Sequence, residues 1–327
     1  MDQRNHTEPH IVWPLDPAGF STHRITRLRH NFHRHPLFQL PELANLAREL
    51  MPKEQCRFVR PGLQQDSAFR HEPRPTDGRD IDQVFEHIHE SGSWIALYNV
   101  EAVPRYHALL EEIIDGLRPL IEKEQPGIFN VTGFIFISAP PSVTPFHIDR
   151  ENNFWMQLHG RKTLSVWEPD DRDAVSAAHV EDFIVSHTLR DVRLKESARA
   201  TSHDFDSGPG DGVYFPTTAP HMTRSDTDWV HGDDAVSISI GVTFYTSHTV
   251  RNARVHQFNR VCRKYLGLHP TYPGRHAWRD RAKAPLGYVL GVSRQWALRA
   301  LTFYGGLKAH HRPEEGWWGE KAPPGSY

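Results

Sequence analysis

The segment Val143-Thr144-Pro145-Phe146-His147-Ile148-Asp149 sets an imidazole and a carboxylate two residues apart in a run of β-branched and aromatic residues. On a strand, residues two apart share a face. His147 and Asp149 can therefore point together while Ile148 faces away. A third ligand can come from a later strand, and the candidate is His221, which closes the string Phe215-Pro216-Thr217-Thr218-Ala219-Pro220-His221. Two imidazoles and one carboxylate on one face of an octahedral ion leave three adjacent positions open. That arrangement suits non-haem iron(II), which must hold a bidentate 2-oxoacid and still admit O2. Manganese, cobalt and zinc accept the same ligand set.

Each residue has a plainer reading when taken alone. The chain holds 23 histidines, so a chance His-x-Asp is ordinary. His147 would then be a surface or turn residue, and His221 a capping or core histidine. The neighbouring residues decide between the readings. Lys162 opens the strand after the turn His159-Gly160-Arg161 and can point inward; otherwise it is a solvated hairpin lysine. A carboxylate brought into such an interior needs a cationic partner, because its desolvation is otherwise prohibitive. Thr144 and Asn153 are potential polar contacts or, more plainly, a strand-end and a turn residue.

The elements that must position these groups fall into three zones. In residues 1–128, Pro41–Met51 reads as a helix with Leu43, Leu46, Ala47 and Leu50 on one face. Ile81–His89 reads as a second helix, Trp94–Tyr98 as a strand, and Arg105–Lys123 as a helix carrying Leu109, Leu110, Ile113, Ile114 and Leu117. Residues 129–248 change to strands: Phe129–Ser138, a hairpin of Asn153–Leu158 and Lys162–Trp167, a turn at Gly208–Gly212 leading into Val213–Phe215, and Val236–Tyr245. The expected class is mainly β, a barrel or sandwich with flanking helices. Residues 249–327 return to helix, with Val255, Phe258, Val261, Cys262 and Tyr265 as one stripe. Tyr288, Trp296, Leu298, Leu301 and Phe303 lie in a second helix, and a loose tail follows His311.

Composition narrows the function classes. At 327 residues with 38% hydrophobic content, the chain can bury a substantial core. A formal net charge of −2 without long single-sign runs predicts neither a nucleic-acid nor an acidic-membrane partner. The two cysteines, Cys56 and Cys262, stand far apart and exclude a disulfide framework and a cysteine-rich zinc site. No signal-peptide-like or membrane-spanning stretch is present, so the expected location is the cytoplasm.

Residues 135–167 resemble the catalytic core of the JmjC hydroxylases, especially the asparaginyl-hydroxylase branch and its bacterial cupin-like relatives. The resemblance rests on Val143-Thr144-Pro145-x-His147-x-Asp149, then Asn153-Phe154, Gln157, Gly160 and Lys162, with the histidine-to-lysine spacing of that branch. The Pro209-Gly210-Asp211 turn, Tyr214-Phe215-Pro216 and His221 agree as well. The resemblance implies a double-stranded β-helix core of the jelly-roll or cupin type, with N-terminal and C-terminal helical decorations. It implies that His147, Asp149 and His221 bind Fe(II), and that Lys162 pairs with the distal carboxylate of 2-oxoglutarate with Thr144 as a second contact. Asn153 would lie near the cosubstrate or the oxygen position, and Thr243 would stand in for an asparagine on a late strand. An aromatic hydroxyl on an early strand is also implied, and no residue is assigned to it.

The implied activity is a 2-oxoglutarate-dependent dioxygenase reaction. It would consume O2, release succinate and CO2, and hydroxylate a peptide side chain or a small molecule, or demethylate through hydroxylation. Halogenating relatives lack the carboxylate, so Asp149 argues against halogenation. The C-terminal helices could form a homodimer interface by analogy, or simply cover one barrel end. Two other classes stay open: a non-catalytic cupin that binds metal in a regulatory or ligand-binding role, and a metal-dependent isomerase, hydrolase or 2-oxoglutarate-independent dioxygenase. Retention of the three ligands and Lys162 argues against the first, and Lys162 with Thr144 against the second.

Overall fold

A computed structural model describes residues 10–58, 62, 64–67, 72–231 and 235–305, with side chains described to residue 297. The side chains of Leu298, Leu301 and Phe303, and the tail after His311, lie outside the described residues. In chain order the elements are β1 (Val12–Pro14), β2 (Thr26–His30), α1 (Leu40–Leu50), β3 (Cys56–Phe58), α2 (Ile81–Glu86), β4 (Trp94–Leu97) and α3 (Pro104–Glu122). Then come β5 (Phe129–Ser138), β6 (Ser142–His147), β7 (Asn152–His159), β8 (Lys162–Val166), α4 (Ala177–Ser186), β9 (His203–Ser207), β10 (Asp211–Phe215), β11 (His221–Ser225) and β12 (Ser237–Tyr245). Two helices close the described chain, α5 (Ser247–Leu266) and α6 (Ala277–Gly305).

The strands form two antiparallel sheets. The larger has the order β1-β2-β10-β7-β12-β5-β4-β3 and the smaller β6-β11-β8-β9. Strands β5 to β8 alternate between the sheets and so do β9 to β12, with β8 and β9 paired within the smaller sheet, which is the jelly-roll pattern of a double-stranded β-helix. Side-chain parity then divides the larger sheet into two faces. Ile135 and Ile137 of β5, Phe154, Met156 and Leu158 of β7, and Ile238, Ile240, Val242 and Phe244 of β12 join one apolar core with α1 and α3. The alternate residues of the same strands face the smaller sheet and line the interior, where the candidate ligands lie.

Helix α3 begins with Pro104 at its first position and buries Tyr106, Leu109, Leu110, Ile113, Ile114, Leu117 and Ile121, the i, i+3, i+4, i+7 stripe of an amphipathic helix. Its approach to β5 depends on Gly133, where a Cβ would sit 2.6 Å from Val100 Cγ2 and 2.9 Å from Leu110 Cδ1.

Several elements depart from the expectations above. The helix from Ile81 stops at Glu86 rather than His89, because the chain turns there to bury Ile88 fully. The first zone contributes β1, β2 and β3 to the larger sheet as well as loops and helices. The barrel zone contains a helix, α4, capped by Ser176, whose side chain accepts from the His179 N–H. Helix α5 buries His256, Gln257 and Asn259 alongside Val255 and Cys262, while Tyr265 is 67% exposed. Its apolar stripe therefore marks the buried face only in part.

Helix α6 lies very close to α5. A Cβ on Gly287 would fall 1.8 Å from the Arg254 carbonyl oxygen. Gly287→Ala is therefore expected to push the two helices apart and cost about 1–3 kcal/mol, measured as a lower denaturant midpoint. An unchanged midpoint would show that this contact does not hold α6 in place.

Candidate metal centre

His147 ends β6 and His221 opens β11, and the two are register partners across the antiparallel pair. Their ring centroids lie 4.1 Å apart. Asp149 follows two residues after His147, and its Oδ2 is 3.4 Å from His221 Nε2. One ligand atom from each of the three residues lies within 4.8 Å of the others, and no other such group occurs among the described residues. Between the ligands, Ile148 turns away into a separate cluster with Phe146, Trp167 and α4.

The donor set fits a divalent metal. His147 Nδ1 lies 2.7 Å from the Pro145 carbonyl and His221 Nδ1 lies 3.1 Å from the Ala219 carbonyl. A carbonyl only accepts, so each Nδ1 must carry the proton and donate it. Nε2 is left as the lone-pair nitrogen on both rings, which is the tautomer a metal requires. Burial raises the Asp149 carboxyl, but its neighbours His221, His147 and Arg150 outweigh it and lower it to about 2. Asp149 is therefore an anion at neutral pH.

The cavity around this trio is lined on one side by Tyr98, Phe134, Phe136 and Trp155, and on the other by Thr144, Thr223, Asn153, Ser239 and Glu151. Several polar atoms of the interior lack partners. Asn153 Oδ1 and Ser239 Oγ are buried without a hydrogen bond, and so are Gln157 Oε1 and the Lys162 amine. Gln157 and Ser239 are register partners on β7 and β12. Lys162 is 4% exposed and shares its strand face with Leu164 and Val166, which lie in the interior cluster with Trp155 and Phe205. Buried polar atoms are almost always paired, so four orphans in one barrel interior fit a polar occupant.

Thr144 and Asn153 border the cavity with the metal trio. Thr243 does not. Its hydroxyl is 2.7 Å from that of Thr132, and the interior positions of β12 that border the cavity are Ser239 and Gly241. A Cβ at position 241 would stand 3.1 Å from Asn153 Oδ1, so the absent side chain makes room for the Asn153 amide.

Tyr98 and Glu151 are among the cavity residues that escaped the sequence reading. Tyr98 lies just beyond β4 in the same parity as Trp94 and meets Phe134 edge-on at 4.9 Å. Burial and then the charge of Asp149 push its phenol up, so it remains a neutral hydroxyl. Glu151 accepts a hydrogen bond from the Tyr245 hydroxyl, and burial followed by the Asp149 charge raises its carboxyl. The alternation of Trp94, Ala96 and Tyr98 was the available signal for the first; nothing in the local string marks the second.

A larger cleft of about 820 Å³ opens at the other end of the strands, between the β7–β8 hairpin and residues Arg224 to His231. It is bordered by Lys162 but holds no metal-capable trio among the described residues. The ligand set, rather than cavity size, locates the candidate centre.

A family model described as a JmjC domain matches residues 127–250. Among solved structures, the ribosomal oxygenase YcfD of Escherichia coli aligns with 18% identity and a TM-score of 0.43, over 87% of this chain and 65% of that one. The same protein in complex with cobalt and 2-oxoglutarate aligns with 18% identity and a TM-score of 0.42, over 82% of this chain and 63% of that one. The chain thus spans just under two thirds of the length of these matches. No curated protein matches the sequence.

Desolvation alone lowers the Lys162 amine from 10.5 to about 7. A folded-state value below the unfolded one means that the unfolded chain binds more protons between those limits, so stability rises with pH across that window. Lys162→Met is expected to raise the thermal midpoint of the metal-free, ligand-free chain at pH 7, with the gain shrinking as pH approaches 10. A gain that does not change with pH would place the amine in water.

Proposed function

We propose, from the match of residues 127–250 to a family model described as a JmjC domain, that the chain is an Fe(II)- and 2-oxoglutarate-dependent oxygenase acting on a peptide side chain or small molecule. The observation that carries this reading is the pairing of a His147–Asp149–His221 ligand trio with an unpartnered buried lysine in the same barrel. The chemistry that such a metal supplies is the coupling of 2-oxoglutarate and O2 to oxidation of a substrate, with succinate and CO2 as coproducts.

The chain's own residues would do the remaining work. His147, Asp149 and His221 hold the metal on one face. Lys162 pairs with the distal carboxylate of 2-oxoglutarate, and that anion restores the charge which burial weakens in the amine. Asn153 and Thr144 hydrogen-bond the cosubstrate, and Ser239 supplies the contact from the late strand in place of Thr243. Tyr98 fills the role of the early-strand aromatic hydroxyl. Phe134, Phe136 and Trp155 keep water out of the cavity, and the carboxylate of Asp149 occupies the position a halide would need. A purely structural cupin has no use for a buried, uncompensated amine, and turnover separates the catalytic reading from a ligand-binding one.

Three variants test it. His147→Ala or His221→Ala is expected to abolish metal-dependent succinate formation in a screen of peptides and metabolites for substrate-stimulated CO2 release. Lys162→Met is expected to weaken 2-oxoglutarate binding to the Mn(II)-loaded chain by about 30-fold or more, as loss of a charge-assisted hydrogen bond implies. Equal affinity would move the anchor elsewhere.

The homodimer expectation has a specific support. Leu286, Val289 and Trp296 form a stripe on α6, exposed by 54%, 59% and 67%, roughly opposite the Ala284–Gly287–Gly291 face that meets α5. A second copy would cover it. Sedimentation should then give a dimer that Val289→Asp returns to monomer; a wild-type monomer at micromolar concentration would reject the association.

A further inference from the structure

Residues 216–220 join β10 to the third ligand and lie against the exit of the first two. Thr217 makes two contacts: its N–H donates to Asn152 Oδ1 at 3.1 Å and its hydroxyl to the Arg150 carbonyl at 2.7 Å. The Thr218 N–H donates to the Asp149 carbonyl at 2.8 Å. Within one stretch of chain, therefore, three hydrogen bonds fasten the segment before His221 to the segment that carries Asp149. The far end is fixed as well, because the Trp167 N–H donates to the Pro220 carbonyl at 2.9 Å.

This arrangement costs backbone energy. Thr218 holds φ at 63°, in the left-handed region, although it is β-branched and not glycine. Such a residue is strained and persists only where its surroundings over-determine it. The surroundings here come from three parts of the chain. Asn152, which receives the Thr217 N–H, donates in turn to Gln125 Oε1 at 3.1 Å, and the Thr246 hydroxyl at the cap of α5 donates to the same oxygen at 2.9 Å. On the other side the Thr218 hydroxyl meets the Tyr272 hydroxyl at 3.4 Å, and Tyr272 is covered by the Arg172 guanidinium at 4.1 Å.

We infer that Thr217 and Thr218 are positioning residues, a clasp that sets His221 against His147 and Asp149 before any metal arrives. The inference rests on the reading of those three residues as metal ligands. Neither threonine needs to touch the metal. Each acts on the ligand-bearing backbone, so loss of the clasp widens the spread of ligand positions that binding must then narrow, and affinity falls by the free energy of that ordering.

The test uses cobalt(II) as the probe and reads its visible absorption bands during titration of the whole chain, with no turnover required. Thr217→Val keeps the β-branch and removes the hydroxyl that serves Arg150. It is expected to bind cobalt about ten-fold more weakly, as one lost hydrogen bond implies, with altered bands. Thr217→Ser restores the hydroxyl and should return affinity to within about two-fold of wild type. Equal cobalt affinity of Thr217→Val and wild type, or failure of Thr217→Ser to rescue, would overturn the clasp while leaving the metal site intact. A wild-type chain that binds no cobalt would overturn both. If Thr217→Val does not fold, Thr218→Gly serves instead: it relaxes the strained backbone, so it folds, but the freed loop should lower cobalt affinity about five-fold, and unchanged affinity would again reject the clasp.

Discussion

Each of the two buried imidazoles, His147 and His221, commits its Nδ1 to the carbonyl oxygen two residues before it, Pro145 in one case and Ala219 in the other. The bond is local, yet the site depends on it. A histidine with a free Nδ1 can flip or change tautomer, and a protonated Nε2 repels a cation. By tying the proton to the backbone, the chain presents two lone pairs and one carboxylate to a single point. Pro145 is itself one of these anchors and Pro220 follows the other, and both stiffen the backbone there. Everything else in the barrel has the task of bringing those two short segments side by side, which the β6–β11 pairing does through the register of His147 with His221.

That pairing works only because the barrel sorts its side chains by parity. The larger sheet gives alternate residues of β5, β7 and β12 to the apolar core under α1 and α3, where each buried Ile, Phe or Leu contributes about 1.5–3 kcal/mol. With one face so anchored, a one-residue slip would expose an entire row of core side chains, so register is firmly set. The opposite face can then carry residues that contribute nothing to packing, such as Ser239 and Asn153, without risk to the fold. Stability is generated on one side of the sheet and the polar interior is tolerated on the other.

The same parity explains what was legible in the sequence. The inward face of Lys162 follows from a hairpin whose turn needs Gly160 at φ 61° and from the alternation beyond it. The His147–Asp149 face follows from the same rule. Strands β1, β2 and β3 were not legible, since three to five residues with sequences such as Thr-Arg-Leu-Arg-His give no alternation to read; they join the sheet because neighbours are there to pair with. Helix α4 lies inside a stretch dominated by strands and shows itself only through Ser176 and the spacing of Val180, Phe183 and Ile184. The polar buried face of α5 was hidden for a different reason. Its partners, such as Glu181 for Arg263 and the Thr271 carbonyl for Asn259, are distant in sequence, and no periodicity can announce a buried ion pair. Thr243 illustrates the limit within the site itself: parity puts it on the interior face, but only the three-dimensional register turns its hydroxyl to Thr132 instead of the cavity.

Lys162 shows how a buried amine and an anion placed beside it would be coupled. An amine removed from water without a partner loses its preference for the charged form, and burial here brings it down to about 7. The charged form of the amine is therefore much less favoured there than in water. An anion placed beside it reverses the effect, since the charged pair is stabilised and the amine regains its proton. Occupancy and protonation rise together, and a neutral ligand of the same shape gains nothing from the lysine. A buried ion pair contributes little net stability on average because desolvation offsets the attraction. Here the lysine's desolvation is already borne by the folded chain, so an entering carboxylate meets only its own. The desolvation carried at this residue would therefore favour a ligand with a negative end over a neutral one.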